Sequence, residues 1–125
     1  MENIRALLID DEEELVTTLV ERFASRGVQA EYSTTGRQAL EMLASKPYDV
    51  VLLDVILPDT SGLELMKIIK SAHPEVKILL VTGKGGIAEE LARSPESQPP
   101  QADGLLFKPV NIDVLLGKLK SLVGR

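Results

Sequence analysis

Four short, unbroken apolar runs, each ending in a polar residue, limit what this chain can become more than any other feature. Arg5-Ala6-Leu7-Leu8-Ile9 stops at Asp10-Asp11, and Tyr48-Asp49-Val50-Val51-Leu52-Leu53 stops at Asp54. Val76-Lys77-Ile78-Leu79-Leu80-Val81 stops at Thr82-Gly83, and Gly104-Leu105-Leu106-Phe107 at Lys108-Pro109. Runs of this length suit strands buried on both faces of a sheet. Val28-Gln29-Ala30-Glu31-Tyr32 alternates instead, as an edge strand does.

Helical stripes lie between the runs. Leu15, Val16, Leu19, Val20 and Phe23 recur at helical spacing and stop before Gly27. Ala39, Leu40, Leu43 and Ala44 form a second stripe before Pro47. Leu63, Leu65, Met66, Ile68 and Ile69 form a third, with Ser61 as N-cap and Pro74 closing it. Ile112, Leu115, Leu116, Leu119, Leu122 and Val123 form the last, capped by Asn111 and read as core packing. Another helix starts over Gly85 to Glu90 but must be short. Ser94-Pro95-Glu96-Ser97-Gln98-Pro99-Pro100-Gln101 cannot continue it, since proline lacks the amide donor and clashes with the preceding turn. A long surface loop, read as a tolerated insertion, is expected there.

Strand followed by helix, repeated, predicts an α/β fold: a five-stranded parallel sheet, right-handed crossovers, and helices on both faces. A chain of 125 residues that is 44% hydrophobic and 26% charged is one domain with a real core, here spanning 1–125. The net charge of −5 argues against direct nucleic-acid binding, which needs clustered Lys and Arg. With no cysteine there is no disulfide, thiol catalysis or zinc–thiolate site. No secretory leader or membrane-length apolar run is visible, so a cytoplasmic protein without membrane contact is expected.

The polar residues closing the four runs are the candidate site. In an open parallel sheet, ligands bind outside the carboxyl ends of the strands. Asp10, Asp11, Asp54, Thr82 and Lys108 should therefore meet at one rim although they are far apart in sequence. Carboxylates crowded together need a compensating cation. Oxygen ligands without His or Cys suit Mg²⁺, which keeps waters and leaves room for phosphate oxygens. A carboxylate can also act as nucleophile and become an aspartyl phosphate, with Mg²⁺ and Lys108 neutralising charge and Thr82 donating a hydroxyl. Each residue taken singly has a plainer reading. Asp10-Asp11 fits a helix N-terminus equally well, Asp54 and Thr82-Gly83 fit turns, and Lys108 fits a solvated charge. His73, before Pro74, reads as a helix-end surface residue. Gly83-Lys84-Gly85-Gly86 lacks phosphate-loop spacing.

Five motifs in order give the chain a close resemblance to response-regulator receiver domains. They are Leu8-Ile9-Asp10-Asp11-Glu12, Asp49-Val50-Val51-Leu52-Leu53-Asp54, Leu57-Pro58-Asp59-Thr60-Ser61-Gly62, Leu80-Val81-Thr82-Gly83 and Phe107-Lys108-Pro109. The resemblance implies a flavodoxin-like strand order 2-1-3-4-5. It implies Asp54 as phosphoacceptor, and Mg²⁺ held by Asp10, Asp11, Asp54 and the backbone carbonyl of Ile56. It implies Thr82 and Lys108 contacting the phosphoryl group, and a cis Lys108–Pro109 peptide. A histidine kinase or phosphotransfer protein would be the donor, and a downstream protein the receiver of the signal. Two departures from the family pattern stand out. Leu105 replaces a frequent aromatic residue, and the stretch from Thr82 to Lys108 is longer than usual.

The expected function is a phosphorylation-dependent signalling receiver that reacts only on itself and switches a partner-binding surface. No output segment follows Arg125, so the chain is either a stand-alone receiver or a fragment of a larger regulator or hybrid kinase. A phosphorylation-independent adaptor on the same fold is the alternative. A phosphatase is disfavoured, because Ile56, two residues after the acceptor, cannot transfer a proton. Apolar Ile56, flanking the site with Lys84, predicts slow self-dephosphorylation.

Overall fold

The apolar runs become strands, and the stripes between them become helices. The computed structural model describes residues 3–83 and 102–124. In order these form β1 (Ile4–Ile9), α1 (Glu13–Ala24), β2 (Val28–Ser33), α2 (Gly36–Ser45), β3 (Val50–Leu53), α3 (Gly62–Ala72), β4 (Lys77–Thr82), β5 (Gly104–Phe107) and α4 (Ile112–Val123). The short helix expected over 85–90, Lys84 and the Pro-rich stretch 94–101 lie outside the described residues.

The strands form one parallel sheet in the order β2-β1-β3-β4-β5. This is the doubly wound architecture and the strand order expected. The unbroken apolar runs follow from helices covering both faces. Leu7, Ile9, Val51, Leu53, Ile78 and Leu80 alternate onto one face, against Ala39 and Leu43 of α2 and Leu63, Met66 and Ile69 of α3. Ala6, Leu8, Val50, Leu52, Leu79 and Val81 fill the other, against Val16, Leu19 and Phe23 of α1 and Leu115, Leu116 and Leu119 of α4. Each fully buried side chain of this size contributes about 1.5–3 kcal/mol, so the central strands anchor both layers.

β5 corrects one expectation. Its apolar run was read as buried on both faces, yet Leu105 and Phe107 are 40% and 43% exposed. The reason is position. Among the described residues β5 pairs only with β4, and it packs Leu106 alone of its large side chains into the core with α1 and α4. β2 is the opposite edge, as its alternation predicts.

The helix boundaries follow local chemistry. Gly27, at φ 82°, adopts the left-handed conformation that closes α1. The side chain of Ser61 accepts from the Leu63 N–H, and that of Asn111 from the Asp113 and Val114 N–H groups, both as expected. Thr35 caps α2 by accepting from the Gln38 N–H. A second cap comes from a distance: the Asp59 carboxylate accepts from the Gly36 and Arg37 N–H groups at 2.9 and 3.0 Å. These two bonds hold the Asp59 carboxyl below its usual range.

Candidate functional site

Parallel register carries the run-ending residues to one rim. Ile9 pairs with Leu53, and Leu53 with Leu80, so Asp10 and Asp54 emerge side by side and Thr82 lies next to them on β4. The backbone continues the ladder: the Asp54 N–H donates to the Ile9 carbonyl at 2.9 Å, and the Lys108 N–H to the Thr82 carbonyl at 2.9 Å. The Lys108–Pro109 peptide is cis, as the resemblance implied.

Asp54 is buried at 8% exposure, and both of its carboxylate oxygens are engaged. Oδ1 accepts from the Thr82 hydroxyl at 2.9 Å and from the Ile56 N–H at 3.2 Å. Oδ2 accepts from the Lys108 ammonium at 3.1 Å. Lys108 also pairs with Asp10 at 2.8 Å and with Glu12. Asp10 Oδ1 in turn accepts from the Glu12 N–H at 2.9 Å, a local turn that opens α1.

The loop after Asp54 is closely fitted. The Gly62 N–H donates to the Val55 carbonyl at 2.6 Å. A Cβ at Gly62 would lie 2.2 Å from the Asp54 carbonyl oxygen and 2.6 Å from the Val55 Cα, so only glycine fits there.

Burial raises the Asp10 carboxyl above its ordinary range. Hydrogen bonds from Lys108 and the Glu12 amide pull the other way without cancelling it, and the nearby Asp54 adds to the rise. Burial also opposes the charge on Lys108. Its bonds to Asp10, Glu12 and Asp54 outweigh this and hold its pKa above the ordinary lysine value. Among the described residues one ammonium thus faces three carboxylates, a formal surplus of two negative charges. Carboxylate oxygens of Asp10, Glu12 and Asp54 lie within 4.8 Å of one another. This all-oxygen, electron-rich donor set fits a hard divalent cation.

The structure therefore brings together Asp10, Asp54, Thr82 and Lys108. Asp11 is exposed and is not part of the carboxylate group. Glu12 takes the place beside Lys108 that sequence reading had assigned to no residue. A weak signal was present, since Glu12 follows the acidic pair directly. Ile56 contributes its N–H to Asp54, and its residue is 39% exposed at the rim. His73 ends α3.

A doubly wound parallel sheet with an acidic, lysine-bearing rim at its carboxyl ends defines a class of ligand-binding α/β domains. The sequence model of the response regulator receiver domain matches residues 6–120, and the chain belongs to that family. It is 30% identical over 122 residues to the response regulator MprA of Mycolicibacterium vanbaalenii, covering 98% of this chain and 51% of that protein. The chain thus spans about half the length of the curated relatives it matches. A CheY-like receiver domain from Methanospirillum hungatei JF-1 superposes with a TM-score of 0.84 at 25% identity, covering 98% of this chain and 95% of that one. The Thermotoga maritima response regulator TrrA, solved in complex with Mg²⁺-BeF, superposes at 0.79 with 31% identity, over 95% and 98% of the two chains. Among the described residues no helix is long and apolar enough to cross a membrane.

Proposed function

We propose that Asp54 accepts a phosphoryl group, with Mg²⁺, from a histidine kinase or phosphotransfer protein, and that the chain signals through a protein partner. The observation that carries this reading is the buried Asp54 carboxylate, bonded at once to the Thr82 hydroxyl and the Lys108 ammonium. An Asp54 oxygen attacks phosphorus, the bond from phosphorus to the donor breaks, and the donor leaves with that electron pair. The reaction needs aligned oxygens and neutralised charge more than proton transfer. Lys108 supplies positive charge, and Thr82 a donor for a phosphoryl oxygen. Asp10 and Asp54 with the Ile56 backbone carbonyl would hold Mg²⁺, joined by Asp11 once its exposed carboxylate turns inward; the ion when bound offsets charge on the transferred group.

The domain extends over 1–125 in this reading and reacts only on itself. Ile56, apolar and exposed at the rim, offers a hydrolytic water no side-chain hydrogen bond, so the phosphorylated form is long-lived. Incubation with acetyl phosphate and Mg²⁺, followed by intact-mass measurement, tests the reading. The wild type should gain one base-labile phosphoryl group and release acetate, and Asp54→Ala should gain none. A wild type that stays unmodified would leave a phosphorylation-independent adaptor as the better account.

A further inference from the structure

An ammonium group has three N–H donors. At Lys108 three carboxylates compete for them: Asp10 at 2.8 Å, Asp54 at 3.1 Å, and Glu12. No donor is left over for another anion. A phosphoryl group on Asp54 nevertheless brings new oxygens to this ammonium, so one existing partner has to let go.

The three partners are not equally free to do so. The Asp10 side chain is 9% exposed, and its Oδ1 is already tied to the Glu12 N–H. Asp54 itself carries the incoming group. The Glu12 side chain is 58% exposed and stands at the threshold of α1, where rotation of its own torsions returns the carboxylate to water without moving backbone. Releasing Glu12 therefore costs least.

We propose that Glu12 is the exchangeable counter-anion of Lys108. It holds the ammonium in place before phosphorylation and gives it up to the phosphoryl oxygens afterwards. This inference rests on the receiver reading and adds a positioning role for a residue outside the expected set. Glu12 then has two opposed effects. It keeps Lys108 aimed at Asp54, and it competes with the group that Lys108 is there to bind.

The test is beryllofluoride binding to the whole chain, followed by amide NMR at saturating Mg²⁺, which removes any loss of metal affinity from the comparison. Glu12→Gln keeps the shape of the side chain and removes its charge. Its binding should be about twofold to fivefold tighter than wild type, the size expected when an exposed ion pair no longer has to be broken. Glu14→Gln makes the same change of net charge two residues away, outside the Lys108 cluster, and should bind as wild type does. The Lys108 side-chain ammonium resonance should move in unliganded Glu12→Gln and not in Glu14→Gln. Equal or weaker binding by Glu12→Gln, or the same gain in both variants, overturns the proposal while leaving the receiver reading intact. A wild type with no beryllofluoride-dependent shifts overturns both.

Discussion

Two charged clusters flank the same sheet, and they are built on opposite principles. At the edge by β2, one carboxylate, Glu31, meets the Lys46 ammonium at 2.5 Å and the Tyr48 hydroxyl at 2.6 Å. Charges there are balanced. The hydrogen bonds from Lys46 and then Tyr48 hold the Glu31 carboxyl below its ordinary 4.5. At the rim, Lys108 faces three carboxylates, and burial holds Asp10 above its ordinary 3.8. Glu31 gains from being ionised; Asp10 bears a cost for it. A surplus that burial leaves uncompensated is what a binding site for a cation and an incoming electrophile requires, whereas a balanced pair only fastens the edge.

The sharpest way to break this contrast is to remove the rim cation. Lys108→Ala leaves three carboxylates without their ammonium and should destabilise the fold by about 3 kcal/mol, as loss of one partner from a largely buried pair does. Added Mg²⁺ should recover more stability in this variant than in wild type, as read by thermal melts. An unchanged melting temperature would mean that the carboxylates do not strain the rim.

Asp10→Asn should move stability the other way, by about 1–2 kcal/mol upward at neutral pH, because it removes a buried charge that one lysine does not fully offset. The sign follows from linkage. With its pKa raised in the folded state, Asp10 favours folding most at pH below 3.8, and that contribution is lost as pH rises through the raised value. The advantage of Asp10→Asn should thus shrink as pH falls toward that range. Glu31→Gln should show the reverse. It should be less stable than wild type at neutral pH, with the gap closing as pH falls from 4.5 through the lowered value of Glu31. Denaturant titrations across pH would expose two gaps of the same sign as a failure of the comparison.

Tyr48→Phe removes one hydrogen bond from the balanced cluster and should cost about 1 kcal/mol without altering beryllofluoride binding. Smallest of all, Lys46→Met removes an exposed ion pair and should cost about 0.5 kcal/mol.

Much of this architecture was legible because it rests on local pattern. Buried strands announce themselves as unbroken runs, and their last residues locate the rim once the sheet is parallel. Asp54, Thr82 and Lys108 were found that way, as the residues that close the runs, and by the family motifs that contain them. What escaped reading depended on tertiary distance or on side-chain reach. Asp59 caps a helix more than twenty positions earlier in the chain, which no spacing rule reports. Glu12 and Asp11 are adjacent acids, and only the path of the chain into α1 sets one beside Lys108 and leaves the other in solvent. The exposure of β5 escaped too, because an edge and a centre can share the same apolar composition.

The missing side chain at position 62 has a mechanical meaning. Helix α3 begins against the peptide of Asp54 itself, with no room for even a methyl group between them. What faces the helix start there is backbone, not a side chain that could rotate away. The start of α3 is thereby braced against residue 54.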